Sequence, residues 1–140
     1  MTFLLDTNVL SEWVKPSPHI RVAAWLAGID EDIVFLSVMT LGEIRHGIER
    51  LPPSARRSRL EAWLTVDLPL RFEGRLLQID EATADRWGRL MAAGQDCGRP
   101  MSAVDGLIAA IACRHDLTLV TRNIRDSEAL EIRLLNPWEA

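Results

Sequence analysis

Short apolar runs punctuate the chain and predict five strands. The runs are Thr2–Leu5, Ile33–Leu36, Leu76–Ile79, Leu117–Val120 and Ile132–Leu135. They do not alternate strictly between apolar and polar residues, as strands with one solvated face do. The pattern is typical of strands buried on both faces, and it favours a parallel sheet covered by helices.

Between these runs, apolar residues recur at spacings of three and four, which predicts helices. The predicted helices lie near Asn8–Val14, Ile20–Ala27, Leu41–Leu51, Ser54–Val66, Glu81–Asp96 and Ala103–His115. Strands that alternate with helices indicate an α/β fold built on a parallel sheet. A chain of 140 residues is short for two domains, so we expect a single domain over residues 1–140.

Three carboxylates occupy positions where a plain core would place an apolar residue. Asp6 directly follows the run Phe3–Leu5, at the carboxyl end of the first predicted strand. Asp105 is the only charged residue in the apolar segment Val104–Cys113, and Glu43 opens the helix after the second strand. Sites in open parallel sheets form at the carboxyl edge of the strands, so we expect these acids to share a pocket there.

An ionised carboxylate inside a protein is costly unless a partner compensates its charge. No lysine or arginine lies beside Asp6 or within one turn after Asp105. A cation from solution is therefore the expected partner. Oxygen ligands without paired His or Cys suit Mg²⁺ or Mn²⁺ better than zinc.

A purely structural interpretation of the same acids is also open. Glu43 follows Thr40 at the spacing of a helix capping box, and Asp105 follows Ser102 in a weaker version of that motif. Asp6 would then orient the turn into the next helix, with Asn8 as the helix cap. The two interpretations are compatible, because a capping acid can also face a shared pocket.

A fourth acid follows the predicted strand Leu117–Val120. Asn123 and Asp126 both lie in the polar segment after this strand. With the other three acids, Asp126 places four carboxylates after three strands and on one edge of the sheet.

The overall charge of −4, from 16 basic and 20 acidic residues, argues against a generally basic nucleic-acid coat. One segment departs from this balance and carries five arginines, which are Arg45, Arg50, Arg56, Arg57 and Arg59. Arginine suits bidentate contact with phosphate, so this segment is a candidate RNA-binding surface. A solvated helix face is the alternative.

The remaining features exclude several classes of protein. An apolar fraction of 48% with 26% charged residues is ordinary for a soluble globular chain. Cys97 and Cys113 make neither a disulfide framework nor a zinc site, and they fit a reducing cytoplasm. We find no signal peptide, no apolar run near the ~20 residues of a membrane span and no glycine-rich phosphate loop. A membrane location and a nucleotide cofactor are therefore not expected.

Four motifs together resemble the PIN-domain ribonucleases. They are LLDTNVLSE, TLGEIRHGI, SAVDGLIAA and TRNIRDSE, in this order and before a closing LLNPW. The likeness is greatest to toxins of VapC type, especially the FitB-like branch, and it runs from Phe3 to Trp138. The resemblance implies a parallel sheet flanked by helices, an acidic pocket, and divalent-metal-dependent cleavage of RNA phosphodiester bonds.

The resemblance also implies roles for single residues. It places Asp6, Glu43 and Asp105 on the family's three central acids and Asp126 on its fourth, with Asn8 and Asn123 as supporting polar residues. The implied cofactor is Mg²⁺ or Mn²⁺, and the implied products carry 5′-phosphate and 3′-hydroxyl ends. The implied partners are an RNA substrate, a neutralising VapB-type antitoxin and a second copy of the chain.

Two other functions stay open from the residues alone. A PIN-like module can bind RNA or protein without cleaving either. A phosphatase with an aspartate nucleophile could use Asp6, although such enzymes carry a second aspartate where this chain has Asn8.

Overall fold

A computed structural model describes residues 1–123 and 130–139. Its strands are β1 (Phe3–Leu5), β2 (Val34–Ser37), β3 (Leu76–Leu77), β4 (Thr118–Val120) and β5 (Leu134–Leu135). All neighbouring strands pair in parallel, in the order β3-β2-β1-β4-β5. The predicted parallel sheet is confirmed, and each observed strand overlaps its predicted run.

Helices connect β1 to β2, β2 to β3 and β3 to β4, as the periodicity predicts. They are α1 (Thr7–Leu10), α2 (Ile20–Gly28), α3 (Val38–Glu49), α4 (Ala55–Ala62), α5 (Leu68–Arg71), α6 (Glu81–Asp96) and α7 (Ala103–Arg114). A 3₁₀ turn at Ser11–Val14 continues α1, and another at Glu31–Ile33 precedes β2. Within the described ranges, no helix is long and apolar enough to cross a bilayer.

The two faces of the sheet carry separate hydrophobic clusters. Successive side chains of a strand point to opposite faces, so Phe3 and Leu5 join one cluster while Leu4 joins the other. The first cluster packs against α1 to α5, and the second packs against α6 and α7. Because both faces are covered, the strands are apolar at consecutive positions.

The helix predicted over Ser54–Val66 continues further than the pattern indicated. After α4, a π-helical turn at Trp63–Asp67 leads into α5, which ends at Arg71. Pro69 lies in α5 and has no N–H, and a proline ring clashes with the carbonyl four residues earlier in a regular helix. The wider turn before it accommodates this constraint.

Helix α3 begins earlier than the capping-box interpretation requires. Its cap is Ser37, whose hydroxyl oxygen accepts the backbone N–H of Thr40 at 3.2 Å. Thr40 is therefore the third helical residue and is fully buried. The capping box of Thr40 with Glu43 is wrong, because strand β2 leads directly into the helix at Val38.

The other two suggested caps have different outcomes. Asp6, and not Asn8, caps α1, because its own carboxylate accepts the backbone N–H of Thr7. Ser102 caps α7 as its spacing to Asp105 suggests, and its hydroxyl oxygen accepts the Asp105 N–H at 3.2 Å.

Candidate functional site

Asp6 lies where β1 and β4 end side by side, at the point where the strand order of the sheet reverses. Its backbone N–H donates to the Val120 carbonyl at 2.9 Å. The residue is only 8% exposed. Oδ1 accepts the Thr7 N–H at 2.7 Å, and Oδ2 accepts the Thr121 hydroxyl at 2.8 Å. Donors from two elements therefore hold the carboxylate in one orientation.

The electrostatics of this carboxylate are unfavourable in the protein alone. Burial raises the pKa of Asp6 above its ordinary value, hydrogen bonds from Thr121 and Thr7 oppose the rise, and the charges of Asp105 and Glu43 add to it. Among the residues that the structure describes, no lysine or arginine forms an ion pair with any of these three acids. A cation would relieve this concentration of negative charge.

Asp105 faces the same cleft as Asp6 from the first turn of α7, and it is exposed. The cleft has a volume of about 100 Å³. Its other lining residues are Pro100, Met101, Ser102, Ala109, Leu119, Thr121 and Asn123. Two of the predicted acids thus share one small cleft at the carboxyl edge of the sheet.

Helix α6 sets the position of the turn that carries Asp105. The indole N–H of Trp87 donates to the Ala103 carbonyl at 3.2 Å. Gly106 lets the two helices approach closely, since a Cβ at this position would lie 2.6 Å from Met91 Sδ. The close packing of α6 on α7 therefore fixes the entry of α7 beside the cleft.

Glu43 lies in the groove adjoining this cleft, on the second turn of α3. Its Oε1 accepts the Thr7 hydroxyl at 2.5 Å. Its charge contributes to the raised pKa of Asp6, so the two carboxylates interact across the boundary between groove and cleft. The three central acids therefore lie near one another but do not all line the same cavity.

The two asparagines predicted to support the acids both lie beside Thr121, and no described hydrogen bond joins either of them to an acid. Asn123 lines the cleft, and its backbone N–H donates to Thr121 Oγ1 at 3.1 Å. The Asn8 amide approaches the same hydroxyl at 3.5 Å, while its Oδ1 is buried with no hydrogen-bond partner among the described residues. Asp126 lies outside the described residues.

The residues around Asp6 fit a hard divalent cation in their chemistry, because every available ligand is oxygen. The described residues contain no group of three His, Cys, Asp or Glu side chains that could hold one ion. Asp6 and Asp105 are the pair that faces one cleft. A cation held by two carboxylates keeps several water ligands, which is usual for Mg²⁺.

The five arginines of the predicted RNA-binding surface differ in whether they form ion pairs with described residues. Arg57 pairs with Glu49 at 2.9 Å and Glu61 at 3.2 Å, and it also donates to the Leu51 carbonyl at 2.7 Å. Arg45 lies 3.5 Å from Glu49 and 3.9 Å from Glu61. Arg57 therefore joins α3 to α4, and Arg45 lies beside the same two carboxylates.

Arg56 lines the groove that contains Glu43, and Arg59 lines an adjoining pocket that shares Arg56, Leu60 and Trp63 with it. The groove runs between the end of α1 with its 3₁₀ turn and the pair α3–α4, and Lys15 also lines it. Its apolar residues are Val14, Ile44, Ile48, Leu51, Leu60 and Trp63. Arg50 is exposed at the carboxyl end of α3.

Sequence reasoning missed two threonines at the site. Thr121 directly follows the fourth predicted strand, so the rule that singled out Asp6 would also have selected it. Thr7 lies beside Asp6 in the sequence, but its contact with Glu43 joins residues 36 positions apart. No local pattern reveals that contact.

Known proteins resemble this chain over almost its whole length. The PIN domain family matches residues 3–129. Toxin FitB of Neisseria gonorrhoeae is 36% identical over 135 residues, covering 96% of this chain and 97% of the relative. VapC ribonuclease Y4jK of Sinorhizobium fredii is 33% identical and covers 97% of both chains.

Solved structures agree with the sequence comparison. The crystal structure of FitAcB from Neisseria gonorrhoeae has a TM-score of 0.93 at 35% identity, covering 99% of this chain and 100% of the other. DNA-bound VapBC from Salmonella typhimurium has a TM-score of 0.75 at 28% identity and covers 98% of each chain. Both likenesses extend over almost the whole chain.

Proposed function

Because the chain belongs to the PIN-domain family, we propose that it is a divalent-metal-dependent endoribonuclease and the toxin of a toxin–antitoxin pair. The proposed reaction is hydrolysis of an RNA phosphodiester bond, with Mg²⁺ or Mn²⁺ as cofactor and the cytoplasm as its location. The proposed antitoxin is of the VapB type, and a homodimer is part of the proposal.

One observation supports this proposal above the others. Asp6 is buried, two donors orient it, and it shares a small cleft with Asp105 without any described cationic partner. A structural acid with the same burial would gain a compensating partner within the protein. An acid kept without one is suited to a ligand that brings positive charge.

We assign the cation to Asp6 and Asp105, with Glu43 and Asp126 as further acids that bind it directly or through water. When bound, such a cation activates water for attack and neutralises charge that develops on the phosphate. Thr121 and Thr7 hold the Asp6 oxygens in place, so little reorganisation is needed on binding. Asn8 and Asn123 add polar groups around Thr121.

Two basic residues supply the attraction that an acidic protein needs for RNA. Arg56 lines the groove that contains Glu43, Arg59 lines the pocket adjoining it, and neither has a described ion pair. We propose that they contact phosphates of the substrate strand, whereas Arg45 and Arg57 act in packing. Arg50 contributes only to the general field at the end of α3.

The same groove suits the antitoxin. Its floor is apolar over Ile44, Leu60 and Trp63, and one end opens at the Glu43 carboxylate. An antitoxin segment with apolar side chains and one basic side chain matches this arrangement. A bound segment would also cover Arg56 and Arg59, which explains in physical terms how it would block RNA.

The proposed activity is tested by incubating purified, antitoxin-free protein with total RNA and with transfer RNA. Reactions contain Mn²⁺, Mg²⁺ or EDTA, and Asp6→Asn and Asp105→Asn proteins are purified in parallel. We expect cleavage that requires the metal, is lost in both variants, and leaves 5′-phosphate and 3′-hydroxyl ends.

Three outcomes would contradict the proposal. Equal cleavage by wild type and both variants would indicate a contaminating ribonuclease. RNA binding without cleavage, by a folded protein with Mn²⁺ bound, would favour a non-catalytic PIN module. Aspartyl-phosphate trapped on Asp6 would instead favour the phosphatase alternative.

A further inference from the structure

We propose that Thr7 is a positioning residue that fixes Glu43 relative to Asp6. The inference rests on the proposed nuclease function and adds a residue to its machinery. Thr7 contacts both acids at once, through different atoms. Its backbone N–H donates to Asp6 Oδ1 at 2.7 Å, and its hydroxyl lies 2.5 Å from Glu43 Oε1.

The hydroxyl of Thr7 belongs to a chain of three hydroxyls. It lies 3.1 Å from the hydroxyl oxygen of Thr40, which in turn lies 3.3 Å from that of Ser37. Ser37 and Thr40 are fully buried, and Thr7 is half-buried. The chain therefore runs from the end of β2, through the first turn of α3, to the start of α1.

The number of hydrogens determines the direction of this chain. A hydroxyl has one hydrogen to donate, and an ionised carboxylate can only accept. Thr7 donates its only hydroxyl hydrogen to Glu43, so its hydroxyl oxygen must accept the hydrogen bond from Thr40. Thr40 then donates to Thr7, and Ser37 donates to Thr40 while its oxygen accepts the Thr40 N–H at 3.2 Å. All three hydroxyl hydrogens point towards Glu43.

This arrangement joins two acids that come from separate parts of the fold. Asp6 is set by β1 and Glu43 by α3, and like charges favour their separation. A glutamate also has three rotatable side-chain bonds before its carboxylate plane, so packing of α3 alone leaves its oxygens free to move. The Thr7 hydroxyl selects one Glu43 conformer, and the two buried hydroxyls behind it select one orientation of Thr7 itself.

The test compares Thr7→Val, which keeps the branched shape but removes the hydroxyl, with Thr7→Ser, which keeps the hydroxyl. Both are measured for melting temperature, for kcat and KM on a cleaved RNA, and for Mn²⁺ affinity by calorimetry. A hydrogen bond to a charged group corresponds to a factor of about 10 to 100. We expect Thr7→Val to lose about that factor in kcat, with weaker Mn²⁺ binding and a nearly unchanged KM.

Thr7→Ser should retain kcat and Mn²⁺ affinity within about threefold, because it preserves the donor. A purely structural role for Thr7 would lower the melting temperatures and activities of both variants together. Retention of kcat and Mn²⁺ affinity by Thr7→Val, or equal losses in Thr7→Ser and Thr7→Val, would overturn the inference. Absence of cleavage by the wild type would instead refute the nuclease function on which the inference rests.

Two further variants keep the inference testable if Thr7→Val does not fold. Thr40→Val removes the hydroxyl behind Thr7, and we expect it to lower kcat by about threefold to tenfold. The same substitution in a Glu43→Gln protein should not weaken Mn²⁺ binding further, because the carboxylate being positioned is already gone. An unchanged kcat in Thr40→Val, or additive losses of Mn²⁺ affinity in the double variant, would contradict the proposed chain.

Discussion

Replacing Asp6 by Asn should stabilise the metal-free protein while abolishing its activity. The carboxylate is buried and has no described cationic partner, and Asp105 and Glu43 repel it. Asparagine keeps the shape and an oxygen that can accept the Thr7 N–H, and it is also a good helix cap. The substitution therefore removes the charge and retains the structure around it.

The magnitude follows from two opposing changes. The hydrogen bond from Thr7 becomes neutral, and the Thr121 hydroxyl loses its acceptor because the amide nitrogen of asparagine only donates; the two changes cost about 1 kcal/mol each. Removal of a buried charge relieves a desolvation penalty of several kcal/mol, of which these bonds offset only part. We expect a net gain of about 1–2 kcal/mol in the free energy of unfolding. For a chain of this length, that raises the melting temperature by about 3–8 °C.

The pH dependence has a definite sign. Since the folded state raises the pKa of Asp6, the folded protein binds a proton more readily than the unfolded chain does. Wild-type stability attributable to this group is therefore greatest below the ordinary value of 3.8, and it is lost as pH rises through the raised pKa. The advantage of Asp6→Asn should be largest at neutral pH and should shrink towards pH ~4.

Thermal unfolding in EDTA across this pH range, with Asp6→Ala as the matched control, tests the reasoning. Alanine removes the same charge but also the cap, so it should be less stable than asparagine by about 1 kcal/mol. Mn²⁺ should stabilise the wild type and have little effect on either variant. A lower melting temperature for Asp6→Asn at neutral pH, or a difference that does not change with pH, would refute this account.

Three other predictions concern the cleft, the groove and the core. Asp105→Asn should abolish RNA cleavage and change the free energy of unfolding by less than about 0.5 kcal/mol, because the side chain is exposed; a melting curve and a cleavage assay on one preparation check both parts. Arg56→Glu combined with Arg59→Glu should weaken RNA binding and reduce its salt dependence, whereas Arg89→Glu on α6 should have little effect in the same titrations. Phe72→Ala should cost about 3–5 kcal/mol in urea unfolding, because the ring is fully buried beside Trp13; a loss below about 1 kcal/mol would contradict this packing.

Much of the fold could be predicted because burial on both sheet faces leaves a direct mark on the sequence. Runs such as Phe3–Leu5 are apolar at every position, and α6 was predicted with its observed bounds, Glu81–Asp96. The helix boundaries that depend on a single local interaction were less predictable. Ser37 starts α3 because its hydroxyl reaches Thr40, and Pro69 lies inside a helical rod because a π-helical turn precedes it.

The proximity of three acids could be predicted from the sequence, whereas their arrangement and the two threonines beside them could not. Asp6, Glu43 and Asp105 were selected because each carboxylate interrupts a pattern, and the fold brings all three to one end of the sheet. Their division between a cleft and a groove depends on how α3 and α7 pack, which no spacing reveals. The same holds for the arginines, since the commitment of Arg57 depends on Glu49 and Glu61 from two helices.

Glu12 shows why burial alone does not identify a site in this fold. It is 3% exposed, less than Asp6, and the sequence analysis did not select it. Its carboxylate accepts the His19 N–H at 2.8 Å and forms an ion pair with Lys15, so the protein itself supplies the compensation. Asp6 receives oriented hydrogen bonds but no described cation, and two further acids increase its negative potential. The useful signal is therefore a buried acid that hydrogen bonds hold in one orientation but whose negative charge no cationic side chain compensates. Such an acid destabilises the folded protein alone and favours the state in which a cation is bound.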